Sequence, residues 1–125
     1  MKTCSFKRNE RLKRNEDIKQ VFDNGILFKS ASLNIYLLKR DTGSRYSRAG
    51  FVIKKLLYNK KKVLRNRFRR LLKEAYIKAK HILPEPYDIV ILAKKIKKDT
   101  PVVVLEREIT NGIKKIIKKD NTIIS

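Results

Sequence analysis

Apolar residues recur along the chain with two different spacings, which predict an alternation of helices and strands. The three- and four-residue intervals between Ile18, Val21 and Phe22 are typical of one side of a short helix. Asn15 is the predicted N-cap of this helix and Gly25 its stop. Alternating apolar residues bounded by turn-forming residues then predict strands at 26–28, 33–39 and 46–53, with a turn at 41–44.

The second half of the pattern predicts a long helix, a buried strand and a last helix. In the long helix, apolar residues fall within about 80° of Leu64 on a helical wheel, and they are Phe68, Leu71, Leu72, Ala75 and Ala79. The run 87–93 is nearly all apolar and follows two prolines, which predicts a central strand buried on both faces. Thr100 is the predicted N-cap of a final helix, in which Gly112 is a weak point worth about 1 kcal/mol.

The element order α-β-β-β-α-β-α indicates an α+β fold, a single small sandwich in which helices pack on one mixed sheet. A chain of 125 residues is one domain by length. We expect a flexible basic arm at 1–14, a single α+β domain at 15–119 and a tail at 120–125.

The long helix has a polar side that is rich in cations and lies opposite its apolar face. Its members are Lys62, Arg65, Asn66, Arg69, Lys73 and Lys80. Guanidinium groups at helical spacing suit a row of phosphates, because arginine can donate to two phosphate oxygens at once. The whole chain agrees, since 33 Lys and Arg against 12 Asp and Glu give a net charge of +21. Such an imbalance points to a polyanionic partner, most commonly nucleic acid.

The residues that usually carry enzyme chemistry are few. His81 is the only histidine and Cys4 the only cysteine, and the carboxylates are scattered. We therefore predict no catalytic side chain and no metal ligand, and expect His81 to cap the end of the long helix. No apolar run reaches the length of a membrane span. A lone cysteine cannot form an internal disulfide, which favours the cytoplasm.

Three segments of the chain, in order, resemble a known family. They are RLKRNEDIKQVFDNG at 11–25, AGFVIKK with VLRNRFRRLLKEAY at 49–55 and 63–76, and YDIVILAKK at 87–95. Together they are similar to the protein subunit of bacterial ribonuclease P. The resemblance covers about residues 11–110.

This resemblance implies a protein that binds a large catalytic RNA, which with bound magnesium removes the 5′ leader of precursor tRNA. The catalytic RNA and precursor tRNA are then the partners, with neither a membrane nor DNA expected. The protein alone would bind no cofactor, and magnesium would come with the RNA. A left-handed β-α-β crossover is also implied, against the usual right-handed rule.

The resemblance also implies two RNA-contacting surfaces. The expected contacts to the catalytic RNA are Lys54, Lys55, Lys62, Arg65, Asn66, Arg67, Arg69, Arg70 and Lys73. Ile18, Phe22 and Tyr36 match a cleft for the single-stranded leader, where aromatic rings stack on bases. Isoleucine at 18 would keep apolar contact but lose stacking, and core packing is an equal alternative for Phe22.

The segment LLYNKKK at 56–62 departs from the family pattern, because it has no glycine and is longer. Either the long helix begins earlier or the loop is longer and more basic. Another RNA-binding protein, such as a ribosomal protein or an RNA chaperone, is the main alternative function. A protein nuclease would need clustered carboxylates or a second histidine.

Overall fold

The chain forms helices and strands in the order that its apolar spacings predict, with one additional short helix. The computed structural model describes residues 8–40, 43–59, 61–84, 86–97 and 99–124. The helices are α1 (Asn15–Asn24), α2 (Lys55–Tyr58), α3 (Lys62–Ala79) and α4 (Val102–Ile124). The strands are β1 (Ile26–Lys29), β2 (Leu33–Lys39), β3 (Arg48–Ile53) and β4 (Tyr87–Ala93).

The described strands form one mixed sheet in the order β1-β2-β4-β3. β2 is antiparallel to both β1 and β4, whereas β3 runs parallel to β4. The predicted α+β class is therefore confirmed, and β4 is an inner strand that is buried as its apolar run indicated. α3 lies in the connection between the parallel strands β3 and β4. The left hand of this crossover stays a prediction.

The sheet has a core on each face, because successive side chains of a strand point to opposite sides. On one face, alternate residues of β2 and β4 such as Ile35 and Ile91 pack with buried residues of α3 and α4. On the other face, Val90 of β4 packs with Val21 of α1 and with Leu12. α1 therefore covers one side of the sheet, while α3 and α4 cover the other.

Ordered elements extend past two of the predicted domain boundaries within the described residues. A turn of 3₁₀ helix occupies Arg8–Glu10, and Leu12 is only 5% exposed. The N–H of Leu12 donates to Ala49 of β3 at 2.9 Å. The second half of the expected arm is thus packed on the sheet edge, while its first seven residues lie outside the described structure. At the other end, α4 continues to Ile124 through most of the expected tail.

The helix ends differ in detail from the prediction. Arg14, not Asn15, is the residue before α1, and its side chain makes no capping hydrogen bond. The hydroxyl of Thr100 accepts the N–H of Lys97 at 2.8 Å, and α4 begins only at Val102. Both predicted caps are therefore wrong, since the polar side chains lie beside the helix ends without capping them.

Two glycines occur where neighbouring atoms approach the backbone too closely for a side chain. Gly25 does end α1, but in extended conformation (φ −77°, ψ 163°) rather than as a left-handed cap. A Cβ there would lie 2.5 Å from the carbonyl oxygen of Val21. At Gly112, a Cβ would lie 2.5 Å from Cδ1 of Ile35 on the sheet. The glycine that looked like a weak point in the last helix therefore lets α4 approach the sheet closely.

The lysine-rich connection after β3 contains the additional helix, α2. Leu57 of α2 packs against the core under α3, and Asn59 follows in left-handed conformation (φ 45°). α3 then begins at Lys62. The open question about this segment is therefore answered by a separate helical turn, not by an earlier start of the long helix.

Replacing Gly25 tests the close approach at the end of α1. We expect Gly25→Ala to lower the free energy of unfolding by about 1–3 kcal/mol, because the new methyl group would push against the Val21 carbonyl. The exposed neighbour offers a control, since Asn24→Ala should change the same quantity by no more than about 0.5 kcal/mol. Urea denaturation of both variants measures this. Wild-type stability in Gly25→Ala would show that the helix end relaxes without cost.

Candidate nucleic-acid interface

The two sides of α3 are as different as its sequence indicates. Phe68, Leu72 and Ala75 are buried against the sheet and α4. Leu64 and Leu71 are half-buried at the margin of this face. On the other side the predicted RNA contacts are exposed, except Lys73, which is half-buried. The helix thus packs through one side and offers cations through the other.

Tyr76 is a buried residue of α3 that the helical wheel missed, because it lies about 120° from Leu64 at 100° per residue. Its ring meets Phe51 of β3 edge to face at 6.0 Å between centroids. Burial raises the pKa of the Tyr76 hydroxyl, and the negative charges of Glu10 and Asp88 act in the same direction. The hydroxyl is therefore neutral, and Tyr76 acts as a core residue.

A groove of about 670 Å³ runs between α3 and β3 and reaches the N-terminal segment. The predicted contacts on α3 that line it are Arg65, Asn66, Arg69, Arg70 and Lys73. Residues 49–53 of β3 and Ile18 of α1 also line it. The structure therefore brings together five of the nine residues expected to contact the catalytic RNA, along with one residue expected in the leader cleft.

The N-terminal segment adds two cations to this groove that the sequence reasoning missed. Arg11 and Lys13 line the groove together with the cations of α3. They are held there because Leu12 between them is buried and bonded to β3. Of the residues that line the groove in the described structure, none is acidic. The groove is therefore lined by cations from two separate segments of the chain and suits an anionic chain.

The other expected contacts to the catalytic RNA do not line the groove. Lys54 precedes α2, Lys55 opens it, and Lys62 opens α3. These lysines and Arg67 are exposed. They extend the basic surface along the neighbouring turn and around α3.

The expected leader-cleft residues lie together on the α1 side of the sheet. Phe22 and Tyr36 meet edge to face, with ring centroids 4.6 Å apart and planes at 84°. Both are half-buried, so each ring packs on the small core and keeps an exposed part. Ile18 belongs to the same cluster and also lines the α3 groove. The two surfaces therefore meet at Ile18.

Ion pairs hold α1 and the N-terminal segment in place. Arg48 of β3 donates from Nε and Nη2 to the two carboxylate oxygens of Asp88 at 2.8 and 2.6 Å. Its Nη1 also lies 3.6 Å from Asp17 of α1, and its hydrogen bond to Asp88 raises the pKa of Arg48. Lys80 at the end of α3 pairs with Glu10 at 2.9 Å. These pairs connect residues far apart in sequence, so no local pattern indicated them.

His81, the only histidine of the sequence, lies directly after the long helix. Nδ1 of His81 donates to the carbonyl of Lys78 at 2.9 Å, which confirms the expected role at the end of the long helix. In the part of the chain that the structure describes, no group of three or more His, Cys, Asp or Glu residues could hold a metal ion. The described helices also include none long and apolar enough to cross a membrane.

Comparisons with known proteins point to a single family. The family model described as Ribonuclease P matches residues 6–117. The ribonuclease P protein component of Clostridioides difficile is 36% identical over 111 residues, covering 88% of this chain and 94% of the relative. That of Clostridium novyi is 30% identical over 110 residues, covering 88% and 96%.

Solved structures show the same fold. An RNase P protein of Staphylococcus aureus aligns with a TM-score of 0.65 at 22% identity, covering 89% of this chain and 94% of that one. The RNase P protein of Thermotoga maritima aligns with a TM-score of 0.66 at 24% identity, covering 82% and 93%. The mixed sheet and its helices are thus an architecture found in solved proteins.

Two neighbouring residues of α3 separate its structural side from its binding side. We expect Phe68→Ala to lower the free energy of unfolding by about 3–5 kcal/mol, because it leaves a cavity under the helix. Arg69→Ala removes an exposed side chain and should change the same quantity by about 0.5 kcal/mol or less. Thermal and urea denaturation of the two variants test this. Equal losses of stability would mean that Arg69 also supports the fold.

Proposed function

The chain belongs to the ribonuclease P protein family, and from that premise we propose that it assists a catalytic RNA in removing the 5′ leader of precursor tRNA. The observation that carries the proposal is the groove between α3 and β3, which has cations from α3 and from the N-terminal segment and no acidic lining residue among those described. A protein with this groove and a net charge of +21 is suited to hold a folded polyanion.

In this proposal the basic side of α3 binds the catalytic RNA. Arg65 and Arg69 lie one helical turn apart, so their guanidinium groups can meet successive phosphates and donate two hydrogen bonds to each. Because α3 is fixed by its buried apolar face, binding has to order only the side chains of these cations and not the backbone that carries them. Lys54, Lys55, Lys62 and Arg67 extend the contact beyond the groove.

The unpaired leader of the precursor then passes over the α1 side of the sheet. The exposed parts of Phe22 and Tyr36 offer aromatic surface to bases, and Ile18 offers aliphatic surface. Stacking of this kind tolerates any base sequence, which suits a subunit that serves many precursor tRNAs. Since Ile18 also lines the α3 groove, a strand leaving the bound RNA would reach this cleft directly.

The chemistry of cleavage belongs in this proposal to the RNA and its bound magnesium. The protein binds no cofactor by itself, and its cations replace part of the metal screening between RNA and RNA. The site of action is the cytoplasm, and neither DNA nor a membrane takes part. A ribosomal protein or RNA chaperone is the alternative, and recovery of the chain with one RNA rather than with ribosomes distinguishes the two.

A cleavage assay tests the proposal. The protein alone should not cut precursor tRNA at any pH, because the sequence offers one histidine and scattered carboxylates, with no acid–base pair evident among them. Together with a bacterial ribonuclease P RNA, it should raise the cleavage rate at moderate magnesium concentration above that of the RNA alone. Cleavage by RNA-free protein, or no stimulation of the RNA at any magnesium concentration, would contradict the proposed function.

Replacing Tyr36 tests the leader cleft separately. Tyr36→Leu should weaken the binding of precursor tRNA by the assembled complex by about 1–3 kcal/mol, the worth of one stacked base. Mature tRNA has no leader, so its binding should not change. Salt concentration must be fixed throughout, because screening alters all these affinities.

Two further variants serve as controls for Tyr36→Leu. Tyr46 is a tyrosine of similar chemistry outside both surfaces, where it stacks under Arg40. Tyr46→Leu should leave the preference for precursor over mature tRNA unchanged. Arg65→Ala should weaken assembly with the catalytic RNA and so affect both substrates. An unchanged preference in folded Tyr36→Leu would exclude Tyr36 from the leader cleft.

A further inference from the structure

The turn between α2 and α3 exposes two large apolar side chains. Leu56 is 92% exposed and Val63 is 83% exposed, the highest values among the large apolar residues that the structure describes. An isolated exposed apolar residue needs no explanation, but two within eight residues of each other, at this level of exposure, suggest a contact.

The exposure follows from the packing of their neighbours. Leu57 packs against the core, so Leu56 beside it on the single turn of α2 is directed away. In the same way Leu64 packs under α3, and Val63 precedes it on the exposed side. The two side chains are therefore presented by helices that are themselves held in place, which favours a preformed contact over a frayed end.

The surroundings of this pair are cationic. Lys54, Lys55, Lys61 and Lys62 are all exposed. No Asp or Glu occurs anywhere from 42 to 73 in the sequence. A partner for this turn must therefore be anionic and must also carry apolar surface. RNA has both, since its phosphates meet lysines while the face of an unpaired base meets aliphatic carbon.

Continuity with the α3 groove identifies RNA as the partner rather than another anion. Asn66, which lines that groove, comes three residues after Val63 and therefore lies on the same side of α3. A single RNA bound in the groove would therefore pass beside the turn. We propose that residues 55–59 and 61–63 form an additional RNA-docking element, in which the exposed Lys55, Lys61 and Lys62 hold phosphates and Leu56 and Val63 cover an unpaired base. This inference rests on the proposed function.

The test uses the full chain and a bacterial ribonuclease P RNA, with affinity measured at several salt concentrations. The double variant Leu56→Ser/Val63→Ser should bind about tenfold more weakly, because the cover over one base is lost. The slope of log affinity against log salt should stay as in the wild type, since no cation has been removed. Lys61→Ala should instead lower that slope by about one.

A matched control is Val103→Ser, which changes an exposed valine (56%) at the start of α4 and should leave affinity unchanged. Thermal denaturation should give wild-type midpoints for these surface variants. Leu56→Ser alone repeats the measurement of RNA affinity with a single substitution. Wild-type affinity in the folded double variant, while Arg69→Ala still weakens binding, would overturn the docking element alone. Failure of the wild-type protein to bind the RNA would overturn the proposed function as well.

The remaining explanation is that the turn contacts an anionic membrane surface. Binding to vesicles of phosphatidylglycerol and phosphatidylcholine tests it. If the wild type binds these vesicles through Leu56 and Val63 while the double variant keeps full affinity for RNA, the turn is a membrane contact and the RNA-docking element is excluded. Unchanged vesicle binding in the double variant, together with weakened RNA binding, supports the assignment.

Discussion

Burial of the apolar side of α3 is the interaction on which the cationic surface depends. Arg65 and Arg69, and likewise Arg69 and Lys73, are like-charged pairs at i and i+4, each destabilising the helix by about 0.2–0.5 kcal/mol. Burial of Phe68 and Leu72 contributes roughly 1.5–3 kcal/mol for each side chain. The packing therefore outweighs the repulsion within the helix, and the cations stay aligned before any polyanion neutralises them.

The N-terminal segment contributes Arg11 and Lys13 to the groove. Several contacts hold this segment in place. Leu12 is buried against β3, and Glu10 pairs with Lys80 at the far end of α3. α1 is placed in turn by Arg48, which bridges Asp88 and Asp17. Removing one partner of such a partly buried pair costs more than the pair contributes, because the other charge is left unpaired. The shape of both candidate RNA surfaces is thus set by a few contacts distant in sequence.

The sequence predicted an element correctly where its apolar pattern was long and ended at turn-forming residues. The bounds of β2 and β4 agree with those expected at 33–39 and 87–93, because period-two or continuous apolar runs end at clear breakers. α2 was missed, since one turn is too short to display a helical period. The burial of Leu12 was missed because a single apolar residue among cations shows no periodicity. The placement of Arg11 and Lys13 in the groove was missed for the same reason, since it depends on Leu12. The pairing of Arg48 with Asp88 spans 40 residues and has no local signal.

The distribution of charge explains how so basic a chain can fold and still offer its cations to a partner. The carboxylates seen in contacts lie at junctions of the fold, where Asp88 joins β4 to β3, Glu10 joins the N-terminal segment to α3, and Glu108 of α4 accepts the Ser30 hydroxyl and the Ser32 N–H beside β2. Anions used in this way neutralise a minority of the 33 Lys and Arg. Many of the remaining cations are exposed on α3 and on the turn before it. Because they stay in water and not in the low-dielectric interior, they carry no desolvation penalty. Stability thus draws on the acids and the apolar residues, while the arginines and lysines of α3 and of the N-terminal segment together line the groove that suits a polyanion.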